Sequence, residues 1–259
     1  MTEGTSFPAA PPEEETPQEN AFAAAYTWLA GLSTAAFVLF AAAVYLMSTH
    51  GGALAVELGG KLGDLEAVRA RSLAEKGLVD AAIASYTKAL SMTFEDPQQR
   101  VWALRRFGEL LLAEGRTGEA LPVLRECLES SPGDLPAHAM LCGALARESD
   151  PQTLLNAANA WAEAASKAAD PPSLADALNR AGNALEALEK KEEALDTYLR
   201  GHAANPKGKN AYNAASLLFR NRQNGRALAL LGETEQTDAV RTLRSEIESD
   251  LSPAESESR

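Results

Sequence analysis

Cysteine and histidine are scarce in this 259-residue chain, with two and three copies respectively. Two cysteines cannot staple a disulfide-built scaffold. The histidines, at 50, 138 and 202, lie far apart, with no cysteine or paired carboxylate at ligand spacing. No metal site and no cofactor are therefore expected. Aromatic residues, at 6%, are too few for a base-stacking platform or an all-β core. Basic residues are outnumbered 24 to 36, for a net charge of −12. Nucleic acid needs a basic face to neutralise phosphates, so it is excluded as a partner. The glycine pair in Gly59-Gly60-Lys61-Leu62 lacks phosphate-loop spacing. No Ser/His/Asp signature is visible, so no catalytic residue is assigned and an enzyme is not expected. What the chain does have is apolar material, 46% of residues, enough for a sizeable core.

That material is unevenly spread. Residues 1–20 hold five glutamates, four prolines and no Lys or Arg. Such a stretch buries too little surface to offset ordering entropy and reads as a disordered acidic tail. Ala21 to Met47 then runs without a charge. A helix of that length spans about 40 Å, more than the ~30 Å hydrocarbon core of a bilayer. Tyr26 and Trp28 stand near one end and Tyr45 near the other, as in an aromatic belt. A cleaved signal peptide would start with positive charge and be shorter. Residues 21–48 thus read as a transmembrane helix. Thr27, Gly31 and Ala35 share one face at four-residue steps, which would let two such helices approach and form a homodimer. Lys61, Arg69 and Arg71 follow the helix. The positive-inside rule then puts the downstream part in the cytoplasm, with the periplasmic side as the alternative.

After a Gly-rich linker, residues 49–62, the pattern becomes helical and repetitive. In VWALRRFGELLLAEGRTGEALPVLRECLESSPG, the residues Leu104, Phe107, Gly108, Leu111, Gly115, Ala120, Leu124, Cys127 and Pro132 fall at distinctive offsets. In LADALNRAGNALEALEKKEEALDTYLRGHAANP, the residues Leu178, Ala181, Gly182, Leu185, Ala194, Tyr198, Gly201 and Pro206 repeat them. Small residues let two helices of a hairpin pack closely, and larger ones fill the layer between hairpins. Between these units lies one with His138, Leu141, Cys142 and Leu145. Its second helix, with Ala157, Trp161 and Ala164 as packing positions, keeps phase only after an insertion around Ser149–Thr153. An earlier unit ends in Gly77, Ala82, Tyr86 and Ala89, and a degenerate one runs from Tyr212 through Leu218, Ala227 and Leu231. Cys127 and Cys142 occupy small-residue positions and read as buried packing thiols.

These offsets resemble the tetratricopeptide repeat (TPR). The resemblance implies an all-α solenoid of about four to five helix hairpins over residues 63–233. Val240, Leu243, Ile247 and Leu251 line one face of a solvating cap helix within 234–251, and residues 252–259 form a disordered end. In TPR arrays the first helices line a concave groove that receives a peptide. The resemblance places Asn179, Asn183, Asn213 and Arg220 in it. Asn183 and Asn213 match positions that grip a peptide backbone or carboxylate in clamp-type domains, whereas Asn179 stands where the clamp has lysine. The third unit offers only Ala139, Gly143 and Ala146 at comparable places, and the groove side chains are expected to lie outside the packed layers. The whole resembles single-pass TPR proteins of bacterial envelopes. The expected role is a membrane-anchored scaffold or adaptor that binds a partner protein. The alternative is a structural or assembly subunit of a larger membrane complex, which an exposed apolar patch outside the groove would favour.

Overall fold

A computed structural model of the chain describes residues 61–148 and 150–251. The acidic tail, the charge-free segment with Thr27, Gly31 and Ala35, nearly all of the Gly-rich linker, and residues 252–259 lie outside the described residues. Those described belong to one compact unit and form helices joined by short turns, with no strand among them. No helix among them is long and apolar enough to cross a membrane.

The helices are α1 (residues 61–75), α2 (Val79–Leu90), α3 (Pro97–Ala113), α4 (Thr117–Ser130), α5 (Leu135–Glu148), α6 (Pro151–Lys167), α7 (Pro171–Ala187), α8 (Lys191–Ala204), α9 (Asn210–Arg220), α10 (Asn224–Gly232) and α11 (Asp238–Leu251). Each packs mainly on its sequence neighbours. The turns inside four hairpins share one device, a residue in the left-handed region that reverses the chain after the first helix. These residues are Gly77, Gly115, Glu189 and Arg222, at φ of 74°, 72°, 59° and 60°. The following amide closes the helix end: Arg116 N–H donates to Leu111 O at 2.8 Å, and Lys190 N–H to Leu185 O at 2.9 Å. This satisfies carbonyls that the helix leaves unpaired.

The hairpin of α5 and α6 departs from this rule. Only Ser149 and Asp150 separate its helices. Asp150 caps α6, its Oδ1 accepting from Gln152 N–H at 3.1 Å and Oδ2 from Thr153 N–H at 3.0 Å, with Pro151 at the first helical position. The left-handed turn occurs instead at Ala169, between α6 and α7, with φ 52°. Helix α6 accordingly packs more on α7 than on α5, and at 17 residues it outruns α4 and α8 at 14. Its buried stripe is Leu155, Ala158, Trp161 and Ala165. The sequence expectation of Ala157 and Ala164 as packing positions is thus displaced by one residue, about 100° around the helix. Those two alanines instead wall a cleft of about 680 Å³ between α4, α5 and α6, together with Leu128, His138 and Leu141.

Within regular hairpins the close approaches are those the small residues allow. A Cβ on Gly182 would sit 2.3 Å from the Tyr198 ring, and one on Gly108 2.6 Å from Leu124 Cδ2. Helix α11 covers the last hairpin with Val240, Leu243 and Ile247, packed in one cluster with Leu218 and Leu231. Arg244 Nη2 donates to Leu231 O at 2.8 Å and ties it down. Leu251, expected on the same face, is exposed, one turn beyond the last of these buried contacts.

Candidate interaction groove

The candidate surface is built on α7, α9 and the helices before them. Asp170 caps α7 by accepting from Ser173 N–H at 3.1 Å, and Ala175, Ala177, Leu178 and Ala181 pin the helix into the core. Asn179, Asn183 and Glu186 then fall on one side, at the spacing that aligns side chains along a helix.

The structure brings Asn183, Asn213 and Arg220 together, in a network that sequence spacing did not disclose. The buried Tyr198 hydroxyl lies 2.6 Å from Asn183 Oδ1 and 2.8 Å from Glu186 Oε1, sharing one proton between two acceptors. Burial, then the neighbouring Glu186 carboxylate, push that hydroxyl far above the ordinary tyrosine range, so it remains a donor. Asn213 Nδ2 donates to Asn183 Oδ1 at 3.5 Å, and Arg220 is ion-paired with Glu186. One expectation changes: Arg220 is occupied by a carboxylate of its own chain, because Glu186 lies within its reach across the α7–α9 contact. Asn183 is exposed, outside the packed layers as expected, yet it accepts from the hydroxyl of the fully buried Tyr198.

Asn179 is drawn the other way. Its Nδ2 lies 3.5 Å from Oδ1 of Asn210, a residue 1% exposed whose own Nδ2 donates to Ala175 O at 2.9 Å. Asn210 fits because Gly201 faces it; a Cβ there would meet its Cγ at 2.5 Å. Asn210 therefore ties α9 to α7. Sequence reading passed over it, although Gly201 at a packing position is the signal that a bulky polar side chain sits opposite.

Further along the same face, a cavity of about 530 Å³ is lined by Leu112 from α3, Met140, Gly143 and Arg147 from α5, and Arg180 from α7. The third unit is thus not bare, as its Ala139, Gly143 and Ala146 had suggested. Small residues there make room, and two guanidinium groups border it.

The remaining chemistry is structural. Among the described residues no cluster of His, Cys, Asp and Glu could hold a metal ion. His138 is buried, with Nε2 2.9 Å from Pro132 O. Cys127 and Cys142 are free and buried, and burial pushes both thiols up to about 11. At neutral pH both are protonated and hence poor nucleophiles. Neither should react with iodoacetamide at pH 7.5 in the folded chain, and both should react after denaturation. Labelling of either one before unfolding, read by mass spectrometry, would contradict this assignment.

The geometry defines a class: over the described residues, an all-helical, TPR-like stack of hairpins. Solved structures of MamA have this fold. A double mutant of MamA RS-1 aligns with a TM-score of 0.56 at 17% identity, covering 73% of this chain and 97% of its own. The MamA 41-end protein from Desulfovibrio magneticus RS-1 gives 0.54 at 17% identity, covering 73% and 98%. A further MamA crystal structure gives 0.54 at 17%, covering 67% and 90%. The likeness is one of fold. No protein-family model matches the chain, and no curated protein matches it.

Proposed function

We propose that the chain is a membrane-anchored interaction scaffold that holds a partner protein in the groove formed by its first helices. The observation that carries this reading is the row of amide and charged side chains from α7 and α9 along one face, Asn183, Glu186, Asn213 and Arg220, held by the Tyr198 hydroxyl. Amides offer both donors and acceptors, so they pair with a peptide backbone whatever its side chains are. The uncharged run from Ala21 to Met47 supports the anchor, and the basic residues after it favour a cytoplasmic groove at a bacterial inner membrane. Protease added to intact spheroplasts should then spare the repeats; their digestion from outside would place them in the periplasm.

The test of the groove is Asn183→Ala with Asn213→Ala in the full-length chain, read by crosslinking from membranes. Capture of the partner should weaken by about 1–3 kcal/mol, because groups on the partner lose their hydrogen bonds. Asn213→Ala alone is the cleaner arm, since Asn183 also supports Tyr198. Unchanged capture by a normally folded double variant would turn attention to other surfaces.

One observation favours the second reading, a subunit buried in a larger membrane complex. Leu62, Leu65 and Val68, three residues apart in turn on α1, are 54%, 65% and 56% exposed, apolar side chains that a neighbouring subunit could cover. Helix pairing through Thr27, Gly31 and Ala35 would make either form a homodimer.

A further inference from the structure

The cations along the groove are not equivalent. Toward α1, Arg71 pairs with Glu75 at 2.6 Å and lies over the Trp102 ring, and Arg106 pairs with Glu109 at 2.7 Å. Toward α9, Arg220 pairs with Glu186. Between these neutralised ends, Arg147 and Arg180 have no ion-pair or hydrogen-bond partner among the side chains the structure describes, a set that does not include that of Glu148. The two come from successive first helices and border one cavity. Its floor is open: a Cβ on Gly143 would meet nothing within 4 Å. Leu112 and Met140 add an apolar wall. In a chain of net charge −12, an unpaired guanidinium pair over a small-residue floor is a departure from the prevailing charge, and it has a chemical complement.

We propose that this cavity receives an acidic, extended segment of the partner protein, with carboxylate side chains on Arg147 and Arg180 and an aliphatic side chain against Leu112 and Met140. Guanidinium groups bind carboxylates in two parallel hydrogen bonds, giving orientation as well as attraction. The floor at Gly143 admits the peptide backbone. This rests on the groove being the docking face and adds what docks there: acidity at the centre, with backbone recognition by Asn183 and Asn213 beyond α7. The competing occupant is acidic too, the chain's own residues 252–259, which include Glu255 and Glu257.

The test uses the full-length chain and an N-acetylated, C-amidated heptapeptide, AELEELA, against its glutamine counterpart AQLQQLA, with binding followed by isothermal titration calorimetry. Blocking both peptide ends removes recognition of a terminal carboxylate from the comparison. The acidic peptide should bind, and the glutamine peptide about tenfold or more weakly, since each charge-assisted bond lost costs about a factor of ten. Arg147→Gln and Arg180→Gln should each weaken the acidic peptide about tenfold and flatten its salt dependence. Arg226→Gln, which alters a cation on α10, should change nothing. Equal binding of the two peptides, no binding of either, or an equal loss with Arg226→Gln would overturn the proposal. So would an acidic peptide that binds only after residues 252–259 are deleted, because the tail would then be the occupant. If the acidic peptide fails while Asn213→Ala still releases the natural partner, the acidic centre is wrong and the groove stands. If neither variant nor peptide has an effect, both fail.

Discussion

Tyr198→Ala is expected to lower the free energy of unfolding by about 3–5 kcal/mol, the range for removing a large aromatic side chain from a packed core. Tyr198 is fully buried, and its ring fills the space that Gly182 leaves open, so truncation creates a cavity that neighbouring side chains cannot fill. The same change removes the donor shared by Asn183 and Glu186 and loosens the network along α7 and α9. Tyr198→Phe separates the two effects. It keeps the ring and should cost only about 0.5–1.5 kcal/mol, the net worth of a typical hydrogen bond. Urea unfolding of the full-length chain measures both. A loss below about 1 kcal/mol for the alanine variant would mean that the hairpin repacks around the gap, contrary to the close fit at Gly182.

Removing α11 by a stop after Gln236 should have a larger, more localised effect. Val240, Leu243 and Ile247 are each nearly or fully buried, and burying a side chain of this size stabilises by about 1.5–3 kcal/mol. Their loss also bares Leu218 and Leu231, which are almost inaccessible with the helix in place. In a stack of hairpins each unit depends on its neighbours, so the damage should fall off with distance from the missing helix. Amide exchange should accelerate strongly in α9 and α10 and little in α3 and α4. The groove would be harmed from the same end, because Asn213 and Arg220 sit on α9. Equal acceleration in all hairpins would show one cooperative unit rather than a nearest-neighbour stack.

Gly108, Leu111, Ala120 and Leu124 were legible as one packing layer because a fixed offset of small and large residues has a single geometric meaning, and all four are buried. The third hairpin was legible only in part. Its departure depends on a left-handed turn at Ala169, a residue with no turn signature, and on a cap at Asp150 that shortens the preceding link. Glu189 and Arg222 likewise adopt positive φ without being glycine, under the constraint of the helices they join. In the groove, Asn183 and Asn213 could be placed from their offsets alone. The pairing of Arg220 with Glu186 could not, because it depends on how far α9 lies from α7 and which way two long side chains turn. Arg147 and Arg180 are 33 positions apart and belong to different hairpins, so only the stacking of α5 on α7 shows that they border one cavity.

The most direct measurement of the central claim, that the partner sits against the first helices, is a matched pair of photo-crosslinkers. Gly143 on α5 and Gly118 on α4 each have open space where a Cβ would stand, so a benzophenone amino acid at either position can be carried without disturbing the core. Introduced singly into the full-length chain in native membranes, the probe at Gly143 should capture the partner and the probe at Gly118 should not, with capture at Gly143 lost in the Asn183→Ala, Asn213→Ala background. Capture from Gly118 alone would contradict the groove and place the partner on the face formed by the second helices.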